Sequence, residues 1–133
     1  MIKVLIDCDV LLDVALQREP HFEHSSMLLD WAERHPGQSA VAWHTISNII
    51  YLCKSNVVRF VSELIEFVEI PEAGTEAMRF ALEIRMKDVE DAMQVAVADC
   101  FNAQLIVTRN IKDYAKSPIK AMTPESIMHL LEG

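Results

Sequence analysis

Short apolar runs alternate along this chain with longer stretches in which apolar residues return every three or four positions. Ile2-Lys3-Val4-Leu5-Ile6 is the first run and reads as a buried strand. Val10 to Leu16 then has helical spacing, with Asp9 placed as its N-cap, and Arg18-Glu19-Pro20 breaks it. Phe22 to Arg34 predicts a second helix with a Met27–Trp31 core stripe, closed by His35-Pro36-Gly37. A short strand is expected within Gln38–Trp43, then a helix capped by Thr45 and carrying Ile46, Ile49, Ile50 and Cys53. Val57–Ile65 reads as helix and Phe67–Ile70 as strand, before a turn over Pro71–Gly74.

Thr75–Ile84 and Val89–Phe101 are helical, separated by a break at Lys87-Asp88. Leu105-Ile106-Val107 is a short buried strand, and Ile119-Lys120-Ala121 is the candidate for the last one. Thr123-Pro124-Glu125 supplies a cap, a first-turn proline and a first-turn acid for a terminal helix, Glu125 to Leu131. Strands that alternate with helices predict a three-layer α/β/α domain around a mainly parallel sheet, a single domain over residues 1–133. In such sheets ligands bind beyond the carboxyl ends of the strands. Asp7 and the residues after Val107 lie there.

Composition narrows the function classes. The 133 residues are 51% hydrophobic and 24% charged, enough for one sizeable core and too apolar for a disordered chain. No apolar stretch reaches membrane-spanning length, residues 1–6 are too brief for a signal peptide, and a cytoplasmic protein is the expectation. Cys8, Cys53 and Cys100 are odd in number and far apart, so three reduced, mostly buried cysteines are expected rather than disulfides or a zinc motif. Acids exceed bases by 20 to 12, a net charge of −8, which argues against extended duplex binding.

Five aspartates adjoin these apolar runs. Asp7 follows the first strand, Asp88 and Asp91 share a face at the start of a helix, and Asp113 follows the Leu105–Val107 strand. Asp9 serves as a cap, as a site carboxylate reaching a metal through water, or as both. Asp88 and Asp91 have an equally concrete structural use as N-cap and first-turn acid. Asp13, one turn beyond Asp9, faces solvent or a basic neighbour. Carboxylates that converge raise one another's pKa or require a cation. A hard divalent ion, Mg2+ or Mn2+, suits oxygen donors. Thr108 and Asn110 are turn formers or an active-site rim, Arg109 is a phosphate contact or else a solvated or salt-bridged arginine, and Asn48 can bind substrate or a metal-bound water. His44 fits a packed turn better than a general base, and the remaining histidines make no zinc-ligand spacing with the cysteines.

Val4 to Asp13, Lys87-Asp88-Val89-Glu90-Asp91-Ala92, and Ile106 to Tyr114 together resemble the PIN-domain family, in its toxin-like ribonuclease branch. Arg18, Thr45–Tyr51 and Thr123-Pro124-Glu125 extend the likeness over the chain. The resemblance implies an α/β/α fold and Mg2+- or Mn2+-dependent cleavage of RNA, single-stranded or structured. It further implies a small antitoxin partner and a homodimer. By motif, Asp7 matches the first family carboxylate and Asp91 the third. Asn48 stands where many members have an acid, and Asn110 where the Thr-x-Asp element has its aspartate. Asp9 stands where asparagine is common, and Asp113 and Asp88 are further acids able to compensate.

Two other readings fit the same residues. One is a binding module on a weakened nuclease scaffold, favoured by the two amides. The other is a phosphoryl-transfer hydrolase using Asp7 as nucleophile.

Overall fold

A computed structural model describes residues 1–132. Five strands form one sheet: β1 (Val4–Ile6), β2 (Ser39–Ala40), β3 (Val68–Glu69), β4 (Leu105–Val107) and β5 (Lys120–Met122). Every pairing is parallel and the strand order is β3-β2-β1-β4-β5. From β1 the chain therefore builds outward through β2 and β3 on one side, then returns to build β4 and β5 on the other. The switch point, where open parallel sheets hold their ligands, lies between the carboxyl ends of β1 and β4.

Alternation along the strands divides the interior into two layers. Val4 and Ile6 of β1 and Val107 of β4 join a core with Val10, Leu11, Leu28, Val41, Ile49 and Ile127. Apart from Val41, which follows β2, these come from α1 (Cys8–Ala15), α2 (Phe22–Arg34), α3 (Trp43–Cys53) and α7 (Pro124–Glu132), and α4 (Val57–Leu64) adds Val57 and Leu64. Leu5 and Ile106 point the other way, against α5 (Thr75–Ile84) and α6 (Val89–Phe101). Alanines 92, 96 and 98 let the backbone of α6 approach the sheet, which buries this helix on most of its circumference.

The expected α/β/α architecture with a parallel sheet is the one observed. Several local expectations change. The helix after β1 starts at Cys8 with Asp7, not Asp9, as its N-cap: Asp7 Oδ1 accepts from Cys8 N at 2.7 Å. Helix α3 starts at Trp43 behind Ala42, so Thr45 lies inside its first turn and is fully buried. Met27 is 42% exposed while Trp31 is buried, so only one end of that stripe is core. The strand within Gln38–Trp43 shortens to two residues, because α3 begins where it would continue. The cysteines are free, but Cys100 is exposed and the other two are only half-buried. Among the described residues, no helix is long and apolar enough to cross a membrane.

Candidate metal centre

Backbone hydrogen bonds carry the sheet one residue past two strand ends. Asp7 N donates to Val107 O and Thr108 N to Met122 O, each at 2.9 Å. The side chains of Asp7 and Thr108 are thus fixed by the sheet at the switch point. Asp7 is nearly buried, and both of its oxygens are occupied. Oδ1 accepts from Gln94 Nε2 at 2.9 Å as well as from Cys8 N, and Oδ2 accepts from the Tyr114 hydroxyl at 3.0 Å. The Gln94 amide also donates to Thr45 Oγ1 at 2.7 Å. One helix from each side of β1 is therefore tied to a single carboxylate.

Asp91 sits in the first turn of α6, whose N-cap is Asp88: Asp88 Oδ1 accepts from Glu90 N at 2.8 Å and Asp91 N at 3.4 Å. The Tyr114 oxygen that serves Asp7 is also 3.5 Å from Asp91 Oδ1. Burial, followed by the charges of Asp88, Asp7 and Asp113, pushes the Asp91 carboxyl up to about 7. Burial and the neighbouring Asp7 and Asp91 carboxylates also push the Tyr114 phenol up, which keeps it a donor.

Asp9 turns the other way, toward the loop after β4. Its Oδ2 accepts from Arg109 N at 3.0 Å, Asn110 Nδ2 at 2.9 Å and Thr108 Oγ1 at 3.3 Å. Its Oδ1 is buried and without a partner among the described residues. Burial first, and Asp7 second, raise this carboxyl to about 6 despite those donors. Burial likewise raises the thiol of Cys8 to about 12, with Asp7 and Asp9 adding to it, which leaves it no nucleophile. Asp13 has no solvent exposure and meets two basic neighbours, Arg18 and Arg109.

Two clefts open over these groups, and Asp91 lines both. A cleft of about 360 Å³ is bounded by Asp7, Asp9, Asn48, Asp91, Arg109 and Asn110. A wider one of about 710 Å³ holds Asp88, Asp91 and Asp113 with Lys87, Lys112 and Lys116. The structure therefore brings Asp7 and Asp91 together through one hydroxyl, sets Asp9 beside them, and places Asp88 and Asp113 beyond Asp91. Among the described residues, no three acids, histidines or cysteines stand close enough to hold one ion between them in this arrangement of side chains. The donor set still fits a hard cation. All five candidates are carboxylates, one buried oxygen lacks a partner, and two carboxyls are raised in part by like charge.

Sequence reasoning missed Gln94, Tyr114 and the anchoring of Arg18. Gln94 had a signal: it is the one polar residue within Ala92-Met93-Gln94-Val95-Ala96-Val97-Ala98. His44 is half-buried, and burial lowers its pKa, in keeping with a packed turn.

Comparison with known proteins agrees with the fold. The family model described as PIN domain matches residues 3–112, most of the chain. No curated protein matches. A toxin–antitoxin complex from Klebsiella pneumoniae contains a chain with a TM-score of 0.69 and 21% identity, over 92% of this chain and 98% of that one. For VapBC2 from Rickettsia felis, bound to a DNA fragment from the promoter, the figures are 0.65 and 15% over the same shares. FitAcB from Neisseria gonorrhoeae gives 0.61 and 12%, again over 92% and 98%.

Proposed function

This chain belongs to the PIN-domain family, and we propose that it is a metal-dependent endoribonuclease, the toxin of a toxin–antitoxin pair. PIN domains are in general metal-dependent nucleases, which supplies the reaction class. The observation that carries the reading is the joining of Asp7 and Asp91 by the Tyr114 hydroxyl at the sheet's switch point.

Asp7 and Asp91 would hold the Mg2+ or Mn2+ ion, with Asp9, Asp88 and Asp113 as further carboxylates. Held there, such an ion would supply a lowered pKa for water and an offset to charge on the phosphate. The chain's own residues supply orientation. Gln94, Tyr114 and Cys8 N fix both oxygens of Asp7, while Asp91 opens onto both clefts. Asn48 and Thr108 would position water or substrate, and Arg109 and Asn110 would contact the phosphodiester chain. A single-stranded segment suits a narrow cleft in a protein of net charge −8.

The antitoxin assignment draws on the toxin–antitoxin complexes among the structural neighbours, matched over almost their whole chains. A small protein partner, and a second copy of this chain, would each find apolar surface available: Trp43, Tyr51 and Val58 are 74%, 76% and 77% exposed.

The test compares wild type with Asp7→Asn and Asp91→Asn on single-stranded and structured RNAs, in Mg2+, Mn2+ or EDTA. Cleavage should require the ion and fall roughly 100-fold or more in either folded variant. Cleavage indifferent to both substitutions or to EDTA sinks the mechanism. A wild type that binds RNA but never cuts it favours the second reading, a weakened binding module. That reading is supported by the two amides, Asn48 and Asn110, and by the spread of the acids.

A further inference from the structure

Asp13 has no solvent exposure, yet it anchors two guanidinium groups that reach the cleft of Asp7 and Asp91. Arg109 grips it with Nε on Oδ2 at 2.7 Å and Nη2 on Oδ1 at 3.2 Å. Arg18 places Nε and Nη2 at 3.2 and 3.1 Å from Oδ1, and its Nη2 also donates to the carbonyl of Asp9 at 3.3 Å. Ser25 Oγ completes the shell of Oδ2 at 3.0 Å. One buried negative charge thus holds two positive ones, a surplus of +1 within that trio, with the Asp9 carboxylate beside it on the Arg109 backbone. Both arginine side chains stay partly exposed, Arg18 by 39% and Arg109 by 25%. Among the described residues, Nη1 of neither arginine has a hydrogen-bond partner.

We infer that Arg18 and Arg109 form a phosphate subsite beside the carboxylate centre, which takes a backbone phosphate of single-stranded RNA next to the one cleaved, and that Asp13 is its positioning residue. The inference rests on the nuclease reading above for its ligand. The physical case is pre-organisation. An unanchored arginine in a cleft rich in aspartate would fold onto Asp7 or Asp91 and cancel the charge an ion needs. Asp13 satisfies the inner faces of both guanidiniums from below and leaves their outer N–H groups for an anion. The backbone of Arg109 adds to this by donating to Asp9 Oδ2, so the same residue fixes both a carboxylate and a cation. Arg109 further forms a wall of a third cleft of about 220 Å³ with His21, His24 and Thr123, a route by which the RNA would leave past the subsite.

The experiment measures binding of a short fluorescein-labelled single-stranded RNA in EDTA, where cleavage is blocked, over a range of salt concentrations. Arg18→Gln and Arg109→Gln should each weaken binding about tenfold. Each should also reduce the slope of log affinity against log salt by about 0.7, the value for one lost phosphate contact on a single strand. Arg109→Lys should keep the slope and lose affinity, because it keeps the charge without the fork. Arg34→Gln, which removes an exposed ion pair with Glu132, should change neither. Asp13→Asn, if it folds by circular dichroism, should weaken binding with the slope preserved; if it does not fold, the arginine variants decide. Slopes and affinities of both Gln variants equal to wild type overturn the subsite, and so does a wild type that binds no RNA. A wild type that binds with this arginine-dependent slope but never cleaves in Mg2+ leaves the subsite standing and overturns the nuclease reading alone.

Discussion

Asn110 donates its side-chain amide to Asp9 Oδ2 at 2.9 Å. By resemblance, Asp9 stands where this family commonly has asparagine, and Asn110 where it has aspartate. The hydrogen bond pairs the two positions directly, and we propose that they act as one feature, a carboxylate–amide pair with its members exchanged. Asn110→Asp alone sets two carboxylates against each other and should destabilise the metal-free protein. Asp9→Asn alone replaces the charged acceptor of Arg109 N and Asn110 Nδ2 with a neutral amide oxygen and weakens both bonds. The double exchange should recover part of both losses, with a coupling of about 0.5–3 kcal/mol in urea unfolding. Additive effects of the two substitutions would show that the pair does not act as a unit.

The two raised carboxyls fix the sign of a pH dependence. Asp9 at about 6 and Asp91 at about 7 bind protons more tightly folded than at the unfolded value of 3.8. Their contribution to stability is complete below 3.8 and is lost as pH rises through 6 to 7. Asp91→Asn should remove its share of that fall, so the variant gains on wild type as pH rises when thermal unfolding is followed in EDTA. Mg2+ competes with those protons and should stabilise wild type most at the alkaline end, by about 2.7 kcal/mol at roughly 100 times its Kd. An Asp91→Asn curve parallel to wild type across this range would contradict the raised carboxyl.

Tyr114 and Gln94 are both buried and each gives Asp7 a hydrogen bond. Tyr114→Phe deletes the hydroxyl alone and leaves Asp7 Oδ2 without a donor, a loss of about 1–3 kcal/mol. Gln94→Leu keeps the volume and strips donors from both Asp7 and Thr45, with a similar loss. In either variant Mg2+ affinity, read by calorimetry, should fall about 10–100-fold, the usual effect of removing a group that orients a ligand. Unchanged affinity in both would mean that Asp7 needs no support to bind an ion.

Asn48 lines the same cleft as Asp7, Asp9 and Asp91. The lining also includes Glu90, so Asn48→Asp adds a fifth carboxylate there; it should tighten Mg2+ binding and raise cleavage while lowering metal-free stability. A variant with weaker Mg2+ binding would place Asn48 outside the ion's reach.

What the sequence determined by itself was mostly local. The spans of α2, α5 and α6 were legible to the residue, because side-chain periodicity and caps such as Asp88 act within a few positions. The short β1 and β4 runs, with Asp7 and Thr108 at their ends, made the parallel layered fold, and the sheet end where these side chains meet, legible as well. Tertiary structure alone decided which acid meets which partner. Asp7 finds Gln94 at a sequence separation of 87 and Tyr114 at 107, and Arg109 finds Asp13 at 96. Those pairings depend on β1 lying beside β4 and on the face each helix turns inward, which no local pattern encodes. The same geometry separated five aspartates that look alike in the sequence into Asp7 and Asp91 joined by a tyrosine, Asp9 held by the β4 loop, and Asp88 and Asp113 across the second cleft. Burial and neighbouring charge, properties of the folded chain only, give Asp9 and Asp91 their distinct chemistry.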